Sequence, residues 1–317
     1  MTQANRPVLL VHTVVSDAHL QQISAQLPEL ELVYAPPSPM AEATIQQHAA
    51  RVQVVLTIGS IGFSAAQMDV LPQLQLVCAL GVGYEKVDVA HARSRGIVAA
   101  NGAGTNDSCV ADHAMALVLA SVRQLAYYEA QLRAGVWRTE LPLPAGITGK
   151  RLGVLGLGTI GRKIALRAQA FEMQVGYHNR NPKADAPWTY FDSLQALAEW
   201  ADVLVVATPG GAATHHLVNA NVLRALGPQG HVVNIARGSV IDTAALAVAL
   251  QAGEVGAAAL DVYESEPQPP QALLNLPNVL LTPHVAGWSP ESVQATVDRF
   301  IANVRQHLQG LPPVSPV

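Results

Sequence analysis

Between residues 8 and 100, short apolar runs alternate with amphipathic stretches. Val8-Leu9-Leu10-Val11, Glu31-Leu32-Val33-Tyr34, Val52-Gln53-Val54-Val55-Leu56, Leu76-Val77-Cys78-Ala79-Leu80 and Ile97-Val98-Ala99-Ala100 have the length and branched content of strands. Helical spacing predicts helices over 20–27, 40–51 and 87–94. A second series begins at Arg151, with strands expected over 152–155, 173–177, 203–207, 232–235, 257–260 and 279–282. Most of these are nearly unbroken apolar runs, as strands covered on both faces require. Residues 108–133 read as one long helix rich in Ala and Leu, capped by Asp107 or Ser108 and ending near Gly135. A helix of that length between two such series suits a bridge between domains or a subunit contact. The last helix is expected over 290–308, and the proline-bearing tail after Leu311 cannot continue it. The pattern predicts an α/β protein of two parallel-sheet domains, Rossmann-like or flavodoxin-like.

Composition supports two cores. The chain has 317 residues, half of them apolar and only 13% charged, which suits two domains of roughly 150 residues each. The net charge of −4 and the lack of any Lys/Arg cluster argue against nucleic acid or an anionic membrane as partner. The apolar stretch 7–15 is short, interrupted by His12 and without a basic start, so it reads as a strand rather than a signal peptide. No uncharged apolar run approaches the ~18 residues of a membrane helix. Cys78 and Cys109 both lie in apolar stretches and read as buried free thiols, with neither a disulfide nor a metal expected. The cytoplasm is the expected location.

The first chemical motif is Gly156-Leu157-Gly158-Thr159-Ile160-Gly161, set between the strand 152–155 and a helix predicted over 160–171. In that setting the first glycine permits a tight turn, the second lets the backbone approach a pyrophosphate, and the third lets helix and strand pack closely. The phosphates would sit on free N–H groups at the positive end of the helix. An NAD enzyme places Asp or Glu about 20 residues on, to accept from the ribose 2′-OH. Here the second strand ends in Asn179-Arg180-Asn181, with Arg180 19 residues past Gly161 and no carboxylate beside it. A guanidinium grips a 2′-phosphate that a carboxylate would repel. The spacing therefore favours NADP(H), with NAD(H) as the other possibility. Arg180 as a merely solvated loop charge is the bland alternative.

Three further segments start at the carboxyl ends of predicted strands: Asn234-Ile235-Ala236-Arg237-Gly238, Leu260-Asp261-Val262-Tyr263-Glu264-Ser265-Glu266-Pro267 and Thr282-Pro283-His284. Ligands of open α/β sheets bind at those ends. Reduction of a 2-keto acid needs a cation for the carboxylate or carbonyl, a hydride donor, and an acid for the new alkoxide. Arg237, the cofactor and His284 can fill those roles, and Glu266 can raise the pKa of His284 and fix its ring. Singly, each of the three is as well explained as a surface charge or a structural hydrogen bonder. The remaining histidines, His113, His215 and His216 among them, read as structural.

These motifs, with Arg237, Glu266 and His284 at intervals of 29 and 18 residues, resemble the D-isomer-specific 2-hydroxyacid dehydrogenases over nearly the whole chain. The resemblance implies that Arg237 orients substrate, that His284 donates the proton, and that Glu266 is its partner. It implies that Ile235, Ala236 and Asp261 border the nicotinamide. It also implies a substrate-carboxylate loop at Leu80-Gly81-Val82-Gly83-Tyr84, with Val82 and Gly83 as backbone donors. Val110, in the entry to the linking helix, would face the nicotinamide. Thr208, in the loop Thr208-Pro209-Gly210-Gly211, would touch the ribose or pyrophosphate. That loop is more glycine-rich than is usual for the family, and the entry segment lacks a frequent proline at Ala103. Arg180 is shared with the NADPH-preferring reductases. The implied layout is a discontinuous substrate domain, 1–98 with 288–317, around a cofactor domain over 99–287, with an active-site cleft between the two. Trp288, where the chain returns, either walls the pocket or packs in the hinge. The resulting expectation is an NADPH-dependent reductase of glyoxylate or hydroxypyruvate, assembled as a homodimer. Hydroxyphenylpyruvate or 2-ketogluconate reduction is the neighbouring possibility. A non-catalytic, dinucleotide-sensing protein binder is the rival of another class.

Overall fold

Each longer strand of this protein is built on a run of apolar residues, and in the computed structural model both faces of each sheet are covered. The structure describes residues 6–317. Internal contacts divide them into two units, one ending at Asn106 and resuming over Ser289–Val317, the other Asp107–Trp288.

The first unit runs β1 (Val8–Val11), α1 (Asp17–Gln26), β2 (Glu31–Tyr34), α2 (Ala41–His48), β3 (Val52–Thr57), α3 (Ala65–Asp69), β4 (Leu76–Ala79), α4 (Val89–Ser94) and β5 (Val98–Ala100). Its five strands pair in parallel in the order β2-β1-β3-β4-β5. One face buries Val8, Leu10 and Val55 against Ile45, Met68 and Ala92. The other buries Leu9, Leu56 and Leu76 against Ile23 and against Val297, Phe300, Ile301 and Val304 of the last helix.

The second unit begins with α5 (Asp107–Val122) and α6 (Leu125–Arg133). It continues through β6 (Arg151–Leu155), α7 (Thr159–Ala170), β7 (Gln174–His178), β8 (Thr189–Tyr190), α8 (Leu194–Trp200), β9 (Val203–Val206), α9 (Ala220–Leu226), β10 (His231–Asn234), α10 (Thr243–Ala252), β11 (Ala257–Leu260) and β12 (Val279–Leu281). The chain then returns to the first unit as α11 (Pro290–Leu308). The seven parallel strands lie in the order β12-β11-β10-β9-β6-β7-β8. The direction of winding reverses between β6 and β9, which makes their carboxyl ends the switch point of a doubly wound sheet.

Three expectations are corrected. The stretch 108–133 is two helices, because Gln124 adopts a left-handed backbone (φ 52°) and the axes diverge by 58°. α5 continues to bury Val118 and Val122, whereas α6 buries no residue. The first division of the chain falls after Asn106 rather than after residue 98. Asn303 and Ser315 both hydrogen-bond the carbonyl of Asn101, Arg299 holds that of Ala103, and Thr105 meets Thr296, so 99–106 stay with the first unit. Cys78 is buried, with its thiol pKa pushed up by burial, but Cys109 is partly exposed. β8 escaped the pattern because only two residues pair. No single helix among the described residues is long and apolar enough to cross a membrane.

Candidate active site

The three glycines of the 156–161 loop differ in what surrounds them. Gly156 has φ 103°, and a Cβ there would lie 2.7 Å from the backbone nitrogen of Thr208, at the head of the loop after β9. A Cβ on Gly161 would lie 2.1 Å from the carbonyl oxygen of Gly156. A Cβ on Gly158 would meet nothing within 4 Å. One glycine therefore serves the turn, one serves helix–strand packing, and one leaves open space over the start of α7. That is the shape a dinucleotide pyrophosphate requires. Thr159 is exposed there, Ile160 is half-buried, and Leu157 is fully buried in the core beneath, together with Val110 and Ile235.

Asn179 reaches back to this loop, its Oδ1 accepting from the Leu157 N–H at 2.6 Å. Its side-chain carbonyl holds the glycine turn, a task its position in the sequence did not disclose. Arg180 and Asn181 are exposed just beyond β7.

Asn234 organises the turn after β10. Its Oδ1 accepts from Ala236 N–H at 3.0 Å, and its Nδ2 donates to the carbonyl of Arg237 at 3.0 Å. An Asn two residues before the N–H it captures is an Asx-turn signal that was legible in the sequence. A Cβ on Gly238 would meet the backbone of Tyr263 and Glu264, so this turn and the one after β11 pack main chain to main chain. Gly210 lies against the stem of Arg237, where a Cβ would come within 2.7 Å of Cγ. The glycine-rich 208–211 loop thus makes room for the arginine as well as for Gly156.

His284 Nδ1 lies 2.9 Å from Glu266 Oε2, and Glu266 Oε1 accepts from the Tyr263 N–H at 2.8 Å. The hydrogen bond that His284 donates to Glu266 raises the pKa of the histidine, and this outweighs its burial and the repulsion of Arg237. Burial raises the pKa of Glu266, but the His284 and Tyr263 hydrogen bonds and the Arg237 charge bring it below the ordinary carboxylate range. Proton transfer is served by such a pair: a carboxylate that stays ionised and an imidazole that holds its proton more firmly than a free histidine. The Tyr263 hydroxyl, 2.6 Å from the Thr282 carbonyl, closes the same corner, and burial pushes its pKa to about 12.

Arg237, Glu266 and His284 therefore meet in the second unit, at the carboxyl ends of β10, β11 and β12. Asp261 stands between them, 0% exposed. Val82 and Gly83 belong to the first unit, on the turn after β4. There Asn101 Nδ2 donates to the Val82 carbonyl at 2.7 Å, and among the described residues no acceptor takes either N–H. Trp288 is the last residue of the second unit and is largely exposed. His215, His216 and Glu264 bring possible metal-ligand atoms within 4.8 Å of one another. Both Glu264 oxygens are already engaged, one by His216 at 2.7 Å and one by the Thr243 N–H at the start of α10.

Residues 115–286 match the family model for the D-isomer-specific 2-hydroxyacid dehydrogenase NAD-binding domain. The chain belongs to the D-isomer-specific 2-hydroxyacid dehydrogenases. It is 36% identical to glyoxylate/hydroxypyruvate reductase A of Arabidopsis thaliana, over 88% of this chain and 90% of the relative. It is 37% identical to a hydroxyphenylpyruvate reductase of Plectranthus scutellarioides, over 84% and 85%. Among solved structures it resembles the NADPH-dependent glyoxylate/hydroxypyruvate reductase of Sinorhizobium meliloti in complex with NADP and malonate. The identity there is 38%, the TM-score 0.89, and the coverage 99% of this chain and 97% of that one. This 2-hydroxyacid dehydrogenase is thus an oxidoreductase with a nicotinamide cofactor, acting between 2-keto and 2-hydroxy acids.

Proposed function

We propose that this dehydrogenase reduces a small 2-keto acid, glyoxylate or hydroxypyruvate first, to the D-2-hydroxy acid with NADPH. The observation that carries the reading is the 2.9 Å His284–Glu266 pair beside Arg237. Glu266 occupies Nδ1, which leaves Nε2 as the donor. Arg237 neutralises charge on the substrate carboxylate and on the carbonyl oxygen. His284 gives its proton to that oxygen as the C–O bond becomes single. The bound nicotinamide supplies the hydride. The backbone of Gly156 to Gly161 would take the pyrophosphate, Thr208 would border it, and Val110, Ile235 and Ala236 would wall the nicotinamide, whereas Asp261, 0% exposed, has no surface to offer it. Val82 and Gly83 offer two adjacent N–H groups suited to a carboxylate.

The preference for NADPH rests on Arg180 and Asn181, exposed beyond β7 with no carboxylate among residues 173–182, while Asn179 acts through the loop it holds. Hydroxyphenylpyruvate is the second reading, favoured by the Plectranthus relative. A panel of 2-keto acids, each followed with NADPH and with NADH, tests the whole reading. The highest kcat/KM is expected for glyoxylate or hydroxypyruvate with NADPH, and Arg180→Asp is expected to move the preference toward NADH. A wild type that already prefers NADH removes the Arg180 argument. Tight cofactor binding with no turnover on any acid points to a dinucleotide sensor instead.

A further inference from the structure

Asp261 is a carboxylate with no exposed surface, one residue past the end of β11. A carboxylate buried without partners would take up a proton. Burial does raise the pKa of Asp261, but hydrogen bonds from His113, Thr282, Val285 and Ala286 outweigh it and leave the group ionised. Oδ1 accepts from the Thr282 hydroxyl at 2.6 Å and from the Val285 N–H at 2.9 Å, and Oδ2 accepts from the Ala286 N–H at 2.9 Å. The Asp261 carbonyl accepts from the His284 N–H at 2.8 Å. One residue thus holds the turn on both sides of His284. That turn needs holding, because His284 has φ 55°, a left-handed conformation that a residue with a side chain seldom adopts.

The hydroxyl of Thr282 has one proton, and Asp261 receives it. The Thr282 oxygen can therefore only accept from His113, whose Nε2 is 3.0 Å away. This fixes a proton on Nε2 of His113, which also lies 3.5 Å from Asp261 Oδ1. The ring is anchored on α5, whose buried face packs into the core of the same unit. The direction of donation runs from His113 to Thr282 to Asp261, and Asp261 accepts in turn from the main chain of 284–286.

We propose that His113, Thr282 and Asp261 form a positioning relay that aims the His284 ring for proton transfer. The proposal rests on the reading of His284 as the proton donor. None of the three need touch substrate. Each acts through the turn that carries His284.

The test uses the full-length enzyme with His113→Phe, His113→Gln, Thr282→Val and Thr282→Ser. The best 2-keto acid of the panel is the substrate, and the backbone amides of Val285 and Ala286 and the His284 ring are followed by NMR. Phe and Val are expected to lower kcat ~10- to 100-fold, the scale of small misplacements of a reacting group, with KM nearly unchanged. Gln and Ser keep the donor or the hydroxyl and are expected to recover most of the loss. In the Phe and Val variants the resonances of Val285, Ala286 and the His284 ring should move. Unmoved resonances, an unchanged kcat, or equal losses in the conservative variants would each overturn the relay. His284→Ala separates the two readings. If that variant keeps full turnover, the proton-donor assignment fails, while displaced resonances in His113→Phe still report that the relay orients the turn.

Discussion

Burial lowers the pKa of two histidines of the second unit, but their net shifts run in opposite directions. His284 has an ion-pair partner, and its pKa is raised. On the proposed reading of His284 as proton donor, reduction needs its proton, so kcat/KM in that direction should hold above pH 6.5, the ordinary histidine value, and fall only as pH passes the raised pKa. Oxidation of the hydroxy acid should show the opposite limb. His284→Ala is expected to lower turnover by ~100-fold or more and to abolish the limb. A full pH profile of both directions checks this, and unchanged turnover removes His284 from its role. The same shift adds stability that is present below about pH 6.5 and is lost as pH rises through the folded pKa. His231 runs the other way. It is held against Ser121 at 2.8 Å, and burial lowers its pKa to about 4. Its folded form binds the proton less readily than its unfolded form. Stability should therefore decline as pH falls from about 6.5 toward 4. His231→Gln should flatten that part of a denaturation-versus-pH curve, and an unaltered slope would contradict the assignment.

At the scale of elements, the loop between β6 and α7 separates folding from binding within six residues. A methyl group on Gly161 has the Gly156 carbonyl in its way, whereas one on Gly158 projects into open space. Gly161→Ala should therefore destabilise the free protein by the ~1–3 kcal/mol typical of overpacking and so lower its melting temperature. Gly158→Ala should leave that temperature unchanged and, on the proposed reading of the loop, weaken cofactor binding, because its methyl projects into the open space over the start of α7. Calorimetry of the free protein and a cofactor titration distinguish the two, and equal effects would mean that the glycines do not divide these tasks. The motif was legible because its glycines sit between a strand and a helix. The break at Gln124 was not, because neither Gly nor Pro marks it and the Ala/Leu pattern continues unbroken. The short pairing of β8 offers no periodicity to read. The substitution-sensitive packing of Gly210 on Arg237 lies between residues 27 apart, which no local pattern reports.

At the scale of the whole molecule, the first unit is completed by a segment that follows the second in the chain. Val297, Phe300, Ile301 and Val304 of α11 are among the residues that cover one face of its sheet. Each is worth roughly 1.5–3 kcal/mol when buried, so ending the chain after Trp288 should unfold the first unit. Limited proteolysis of the shortened protein should degrade residues up to Asn106 while sparing Asp107–Trp288. Survival of the first part would show that α11 is dispensable. Asn101, Asn303 and Ser315 tie the same segment by buried hydrogen bonds, which is why the chain leaves the first unit at Asn106.

The amino-acid sequence alone determined the two parallel sheets, the dinucleotide loop and the three strand-end residues. Those features depend on local periodicity, on glycine at fixed spacing, and on side-chain chemistry that survives being read in one dimension. Only the tertiary structure decided which partners share a hydrogen bond. It turned Asn179 back onto the glycine loop and brought His113 from α5 to Thr282, 169 residues away. A hydrogen bond is directional and effective over about 3 Å. Whether two distant residues form one depends on where the packed helices and strands bring their side chains, and a linear pattern does not contain that information.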